Sequence, residues 1–231
     1  MELSREIVEK IEKLPIELYE KQNIILVKTG LKPAADLMDR AFAIRLSKHG
    51  HFEIPLPYLD GVYRIPTQIP KSVIEVLEGL KLPYTPPEFI ISLVPPNSII
   101  YDENAREELY EIDYASSTEN LQKLIEALKI TVEKERNRKF GDALGVPKTN
   151  IDYFVGDRVI EEGTVPVKLS EEQKMLLNFT NINYVTELRD PLTVEESLKL
   201  GEKYSSVLRE VAPNLYEKMI SKFRQNLMSQ L

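Results

Sequence analysis

His49 and His51 are the only two imidazoles of the chain, and a single residue, Gly50, separates them. Two imidazoles so placed can chelate a metal ion if both project from the same side of a strand. Glu53 and Asp60 are the nearest carboxylates, yet no H-x-x-x-H or E-x-x-H spacing recruits them. The plainer arrangement is a helix that ends at Gly50. It turns the two rings apart and sets a last-turn imidazole against the negative end of the helix dipole.

A second group of residues suits an anion. Val27-Lys28-Thr29-Gly30-Leu31-Lys32-Pro33-Ala34 reads as a strand, a glycine turn and a helix start, either a plain connection or one presenting free N–H groups to a phosphate or carboxylate with Lys28 or Lys32 adding charge. The G-x-x-x-x-G-K-[ST] phosphate loop is absent. A third group lies at Arg136–Phe154, where Lys134, Arg136, Arg138 and Lys139 precede the corner Gly141-Asp142-Ala143-Leu144-Gly145-Val146-Pro147. Gly145 fits the left-handed position past a helix end, and Pro147 fits the first turn of the next helix. Asp142 would supply a carboxylate to a site there or pair with Arg138 four residues earlier. The candidate ligand-binding set is Lys28, Lys32, Arg138, Lys139, Asp142, Gly145, Thr149 and Asn150. The competing reading makes the basic run a solvated helix face.

The elements that must position these groups follow from periodicity and caps. Ser4 caps a helix over about residues 4–21, disturbed at Pro15. Ile24-Ile25-Leu26-Val27 fits a buried strand or a helical segment equally well. Ala34, Leu37, Met38, Ala41, Ile44 and Leu46 predict a helix running from Pro33 to Gly50. Nine of the 15 prolines then fall between Pro55 and Pro96. They confine Phe52–Ile54, Tyr63–Ile65, Phe89–Val94 and Ser98–Tyr101 to short strands, with a helix near 70–80. Asp102–Asp113 reads as a solvated acidic surface without calcium-loop spacing.

Ser116-Ser117-Thr118-Glu119 opens a helix with the stripe Leu121, Leu124, Ile125, Leu128 and Val132, which runs on into the charged segment before Gly141. Ser170-Glu171-Glu172-Gln173 and Thr193-Val194-Glu195-Glu196 are further capping boxes, and Ile182–Leu188 reads as a strand. Pro213 starts a last helix with Leu215, Met219, Ile220, Phe223 and Leu227 on one face. That face would pack internally or against a second copy, giving a homodimer.

The expected fold is therefore α+β: one domain, with a small proline-rich antiparallel sheet packed by helices and a helical C-terminal half. A subdivision into 1–114 and 115–231 is the alternative.

Composition removes whole classes of chemistry. The absence of cysteine excludes disulfides, thiolate nucleophiles and Cys-based metal centres. A formal net charge of −7 argues against general nucleic-acid binding. MELSREIVEKIEK is a charged amphipathic helix, not a signal peptide, and the apolar runs are too short to span a bilayer. A cytoplasmic location is the expectation. Missing cysteine together with abundant Lys, Glu and Ile points towards a thermophile.

Leu144, Gly145, Val146 and Pro147, followed by Tyr153 or Phe154, resemble an archaeal family of uncharacterised proteins whose segment reads Leu-Gly-Tyr-Pro-x-Cys-Cys before an aromatic residue. Val146 stands at the tyrosine position, and Thr149 and Asn150 stand at the cysteine pair, so thiol or metal chemistry of that pair cannot operate here. The resemblance covers about a dozen positions, together with the Gly30-Leu31-Lys32-Pro33-Ala34 turn, and implies no activity.

The functional expectation is a non-catalytic binding protein for a small anionic ligand or a protein partner, bound near the 134–147 corner. The alternative is an enzyme on a small anionic substrate, with Lys32, His49 or His51, and Asp142 in one pocket.

Overall fold

The computed structural model describes residues 3–38, 44–47, 50–52, 71–86, 88–93, 106–160, 164–180 and 189–228. Two compact units emerge, Met1–Ala35 with Ala115–Leu231, and Asp36–Tyr114. The first 35 residues thus belong to the same unit as the C-terminal helices. The architecture is α+β, with a small antiparallel sheet and a helical C-terminal half.

The sheet is formed by β1 (Ala34–Met38), β2 (Ile44–Ser47), β3 (Gly50–Phe52), β4 (Glu88–Leu93) and β5 (Arg106–Ala115). Its order is β1-β5-β2-β3, with β4 also paired to β5. β2, β3 and β4 run antiparallel to their neighbours, with Leu46 opposite His51, Arg45 opposite Glu107 and Glu88 opposite Glu111. Two expectations are corrected here. The helix predicted from Pro33 to Gly50 is replaced by strands, because pairing with a distant strand overrides local helical spacing. The end of the acidic segment is the central strand β5, with Ile112, Asp113 and Tyr114 buried.

Between β3 and β4, α3 (Lys71–Gly79) buries Val73, Val76 and Leu77, and Leu80 follows them. These positions repeat at helical spacing and form one apolar stripe. Thr85 is tied to β5 by its N–H, which donates to the Asp113 carbonyl at 2.8 Å, while the Asp113 N–H donates to Thr85 Oγ1 at 2.9 Å. The strands predicted at Tyr63–Ile65, Ser98–Tyr101 and Ile182–Leu188 lie outside the described residues.

In the other unit, α1 (Arg5–Glu12) is capped by Ser4 and α2 (Leu18–Lys28) follows a break at 13–17, so the single helix expected over 4–21 is two. Ile24–Val27 proves helical and is wholly buried, the centre of this core. α4 (Thr118–Leu128) and α5 (Glu133–Leu144) are separate helices, where one long helix is predicted. Val132 leaves the apolar stripe to become the exposed N-cap of α5. Ser117, not Ser116, caps α4, because the Ser116 N–H and hydroxyl both donate to the Pro33 carbonyl.

α6 (Lys148–Phe154), α7 (Glu171–Asn178), α8 (Pro191–Val211) and α9 (Pro213–Met228) complete the unit. Ser170 and Gln173 form the predicted capping box of α7. The box predicted at Thr193–Glu196 is displaced: Asp190 caps α8 and Pro191 occupies its first turn. Phe179 stacks on Tyr216 at 5.7 Å and meets the edge of Phe223 at 5.4 Å. Leu215, Met219 and Ile220 of α9 are buried within the chain.

Candidate functional site

Gly145 ends α5 with φ at +74°, the left-handed cap its position calls for. Pro147 is the N-cap of α6, one residue before the predicted first turn. The bend they define is occupied by the chain's own atoms. A β-carbon on Gly145 would lie 2.6 Å from Pro33 Cδ, and one on Gly141 would lie 2.8 Å from Ile151 Cγ1. The two anion-binding candidates of the sequence, the 28–34 turn and the 141–147 corner, are thus packed directly against each other. The space between them is filled by Pro33, not by a cleft.

The charged candidates are engaged elsewhere. Lys32 Nζ donates to Asn23 Oδ1 at 3.0 Å and lies 5.8 Å from the Tyr19 ring centre. Arg138 and Lys134 both pair with Asp157, so Arg138 does not form the expected pair with Asp142. Lys139 and Asp142 are exposed on α5, and Lys28 is partly buried at the end of α2. His51 lies on β3 opposite Leu46, so Gly50 begins a strand and is no helix cap. His49 lies outside the described residues. Among the described residues no three His, Asp or Glu side chains are placed to hold a metal ion.

Thr149 and Asn150 instead enter a buried polar seam between α6 and α8. Thr149 Oγ1 donates to Glu196 Oε2 at 2.7 Å. Ser197 Oγ gives its one proton to the Thr193 carbonyl at 2.6 Å, leaving only a long 3.4 Å contact with Asn150 Oδ1. Asn150 Nδ2 is buried and makes no hydrogen bond. Such a donor forfeits its solvation without a replacement.

The seam ends at Asp190. Its carboxylate accepts from both Arg158 Nε and Nη2, from Thr193 Oγ1 at 2.7 Å and from the Leu192 N–H at 3.1 Å. Burial works to raise the Asp190 carboxyl, but the bonds from Arg158, Thr193 and Leu192 outweigh it and hold the group below the ordinary aspartate value. The Arg158 guanidinium is raised in turn, first by its hydrogen bonds to Asp190 and further by the charges of Asp152 and Glu196. In the core beyond, burial alone pushes the Tyr204 hydroxyl up to about 12.

Arg158, Asp157, Asp190 and Ser197 carry no motif in the sequence, and Glu196 is marked there only as the end of a capping box, not as a site residue. Asp190-Pro191 was the available signal, since an N-cap aspartate followed by proline marks a helix start. Nothing in the sequence couples Arg158 to a residue 32 positions away.

Two surface features remain. A groove of 360 Å³ is lined by Leu31, Glu202, Lys203, Ser206 and Val207, none of them a candidate ligand residue. Phe154 is 67% exposed at the end of α6, followed by Val159 at 83% and Val165 at 75%. Among the described residues no helix is long and apolar enough to cross a membrane. No protein-family model matches the chain, and no match to it was found among curated proteins or solved structures.

Proposed function

We propose that the chain is a non-catalytic binding protein whose partner is another protein, met through the exposed apolar side chains that follow α6. The observation that carries this reading is Phe154, Val159 and Val165, three large apolar side chains left in solvent within a dozen residues. Exposed apolar groups that form one patch mark contact surfaces more often than isolated ones do, and we take these three, close in sequence, to form one. An aromatic anchor such as Phe154 is the kind of residue that dominates binding energy when a partner desolvates it. The ion pairs beside it hold the segment in place, which lowers the ordering cost of association.

This reading is favoured over a small anionic ligand because Arg138 and Lys32 already have partners and Pro33 fills the bend. It is favoured over catalysis because Lys32 is bonded to Asn23 while Asp142 is exposed on α5, and the 360 Å³ groove is lined by neither.

Site-specific photo-crosslinking tests the proposal. A crosslinking residue at 154 should capture a discrete partner, and capture should fall at least about tenfold when Val159→Asp is added, as expected for loss of a contact worth about 1.4 kcal/mol. The same probe at exposed Glu217 on α9 is the control. Equal capture at the two positions, or indifference to Val159→Asp, overturns the proposal.

A further inference from the structure

The turn that leaves α6, Val155–Ile160, contains no buried side chain, although α6 itself is seated by Thr149, Asn150 and Ile151. Hydrophobic burial therefore contributes little to fixing it. Its backbone closes on α6 through the Gly156 N–H to the Tyr153 carbonyl at 3.1 Å, and through the Asp157 and Arg158 N–H groups to the Asp152 carbonyl at 2.8 and 3.0 Å. Its attachments to other helices are charged: Asp157 to Lys134 and Arg138 of α5, and Arg158 to Asp190 at the start of α8.

We infer that Val155–Ile160 is a strap fastened by charge, which opens as a local unit while α6 and α8 stay in place. The Asp190 end makes this workable. When Arg158 leaves, Asp190 keeps its bonds from Thr193 and the Leu192 N–H, so α8 retains its cap. Around Arg158 the facing groups are Asp190, Asp152 and Glu196, and around Asp157 they are Lys134 and Arg138. The Asp157 contacts are open to water on both sides, whereas Arg158 reaches a buried carboxylate from a partly open side. The Asp157 end is therefore the more sensitive to added salt. Elements with few buried contacts and charged fastenings open at a small fraction of the global unfolding energy. The strap sets how Val159 is presented relative to Phe154, so ionic strength regulates that surface; this consequence alone rests on the proposed protein partner.

Amide hydrogen exchange on the free chain tests the strap independently of any partner. The probes are the Asp157 and Arg158 amides, compared with amides in the middle of α8. Raising sodium chloride from about 50 to about 500 mM should speed exchange of the two probes roughly fivefold, the upper end for a solvent-screened ion pair, and leave α8 unchanged. Arg158→Gln should exchange at the fast rate already at low salt. Asp190→Asn should do the same while preserving the α8 cap, because asparagine caps as well as aspartate. If Arg158→Gln does not fold, Arg158→Lys keeps the charge and loses the fork, giving an intermediate rate. Exchange that is indifferent to salt, or that occurs at the two probes only together with α8, overturns the inference.

Discussion

Pro33 Cδ lies 2.6 Å from the point where a β-carbon on Gly145 would stand. The turn after α2 and the end of α5 are therefore joined at a place where glycine is required twice over. The φ of +74° disfavours any side chain, and Pro33 leaves no room for one. Gly145→Ala should cost about 1–2 kcal/mol for the left-handed backbone and about 1–3 kcal/mol more for overpacking. Gly30 separates the two terms, since its φ is +76° but nothing lies within 4 Å of its would-be β-carbon. Gly30→Ala should show only the first cost, and Pro33→Ala combined with Gly145→Ala should recover most of the second. Urea denaturation of the three variants beside wild type measures both, and equal losses at Gly30 and Gly145 would refute the packing argument.

Asp190 predicts an acid limb of the stability curve. Its carboxyl is held below the ordinary aspartate value of 3.8, so its contribution is present above that value and is lost as pH falls through the lower folded one. Arg158→Gln removes one source of the depression and leaves the Thr193 and Leu192 bonds. The stability gap between wild type and Arg158→Gln should be flat near neutrality and should close below about pH 4. Thermal melts across pH 2 to 7 check this. A gap that widens on acidification would reverse the assigned sign.

Thr149 and Asn150 are neighbours on α6 with opposite expectations. Thr149→Val removes a charge-assisted bond to Glu196 and should destabilise by about 1 kcal/mol, limited because Glu196 is partly open to water. Asn150→Leu replaces a buried amide whose nitrogen has no partner by an apolar group of similar size. It should be neutral or mildly stabilising, because replacing a poorly satisfied polar group removes a desolvation cost. A loss above about 2 kcal/mol at Asn150 would show that a water or another group satisfies its amide.

Much of this fold was legible where local chemistry decides it. Ser4, Ser170, Gly145 and Pro213 all mark helix ends where side-chain capping, a left-handed cap or proline would set them. The failures share a different cause. Residues 34–46 carry apolar spacing that suits a helix, but the β5 strand, sixty or more positions later, pairs with β1 and with Ile44–Leu46 instead. In β5 the alternation Tyr110-Glu111-Ile112-Asp113-Tyr114 is a strand signature that the count of acidic residues obscured. The anion-site expectation went astray for a related reason. A glycine corner and a lysine turn each look like a vacancy in sequence, and only the fold shows that Pro33 brings one against the other.

Gly201 offers the severest test of the helical packing. It lies inside α8, where glycine is normally the inferior choice and Gly→Ala gains about 0.5–1 kcal/mol. Here a β-carbon would fall 2.3 Å from the Leu176 carbonyl oxygen and 2.8 Å from its carbon, both backbone atoms of α7. Neither atom can rotate away, so α7 must move as a body. Gly201→Ala should therefore destabilise by about 2–3 kcal/mol, the upper part of the range of about 1–3 kcal/mol for overpacking, because the neighbours are rigid. Gly79, the last residue of α3, has nothing within 4 Å and serves as the control, with Gly79→Ala neutral or slightly stabilising. The helical gain and the steric loss have opposite signs at Gly201, so even a neutral result would be informative. It would mean that α7 is free to withdraw, and that the Gln22 bond to the Phe179 carbonyl, just beyond α7, does not hold it in place.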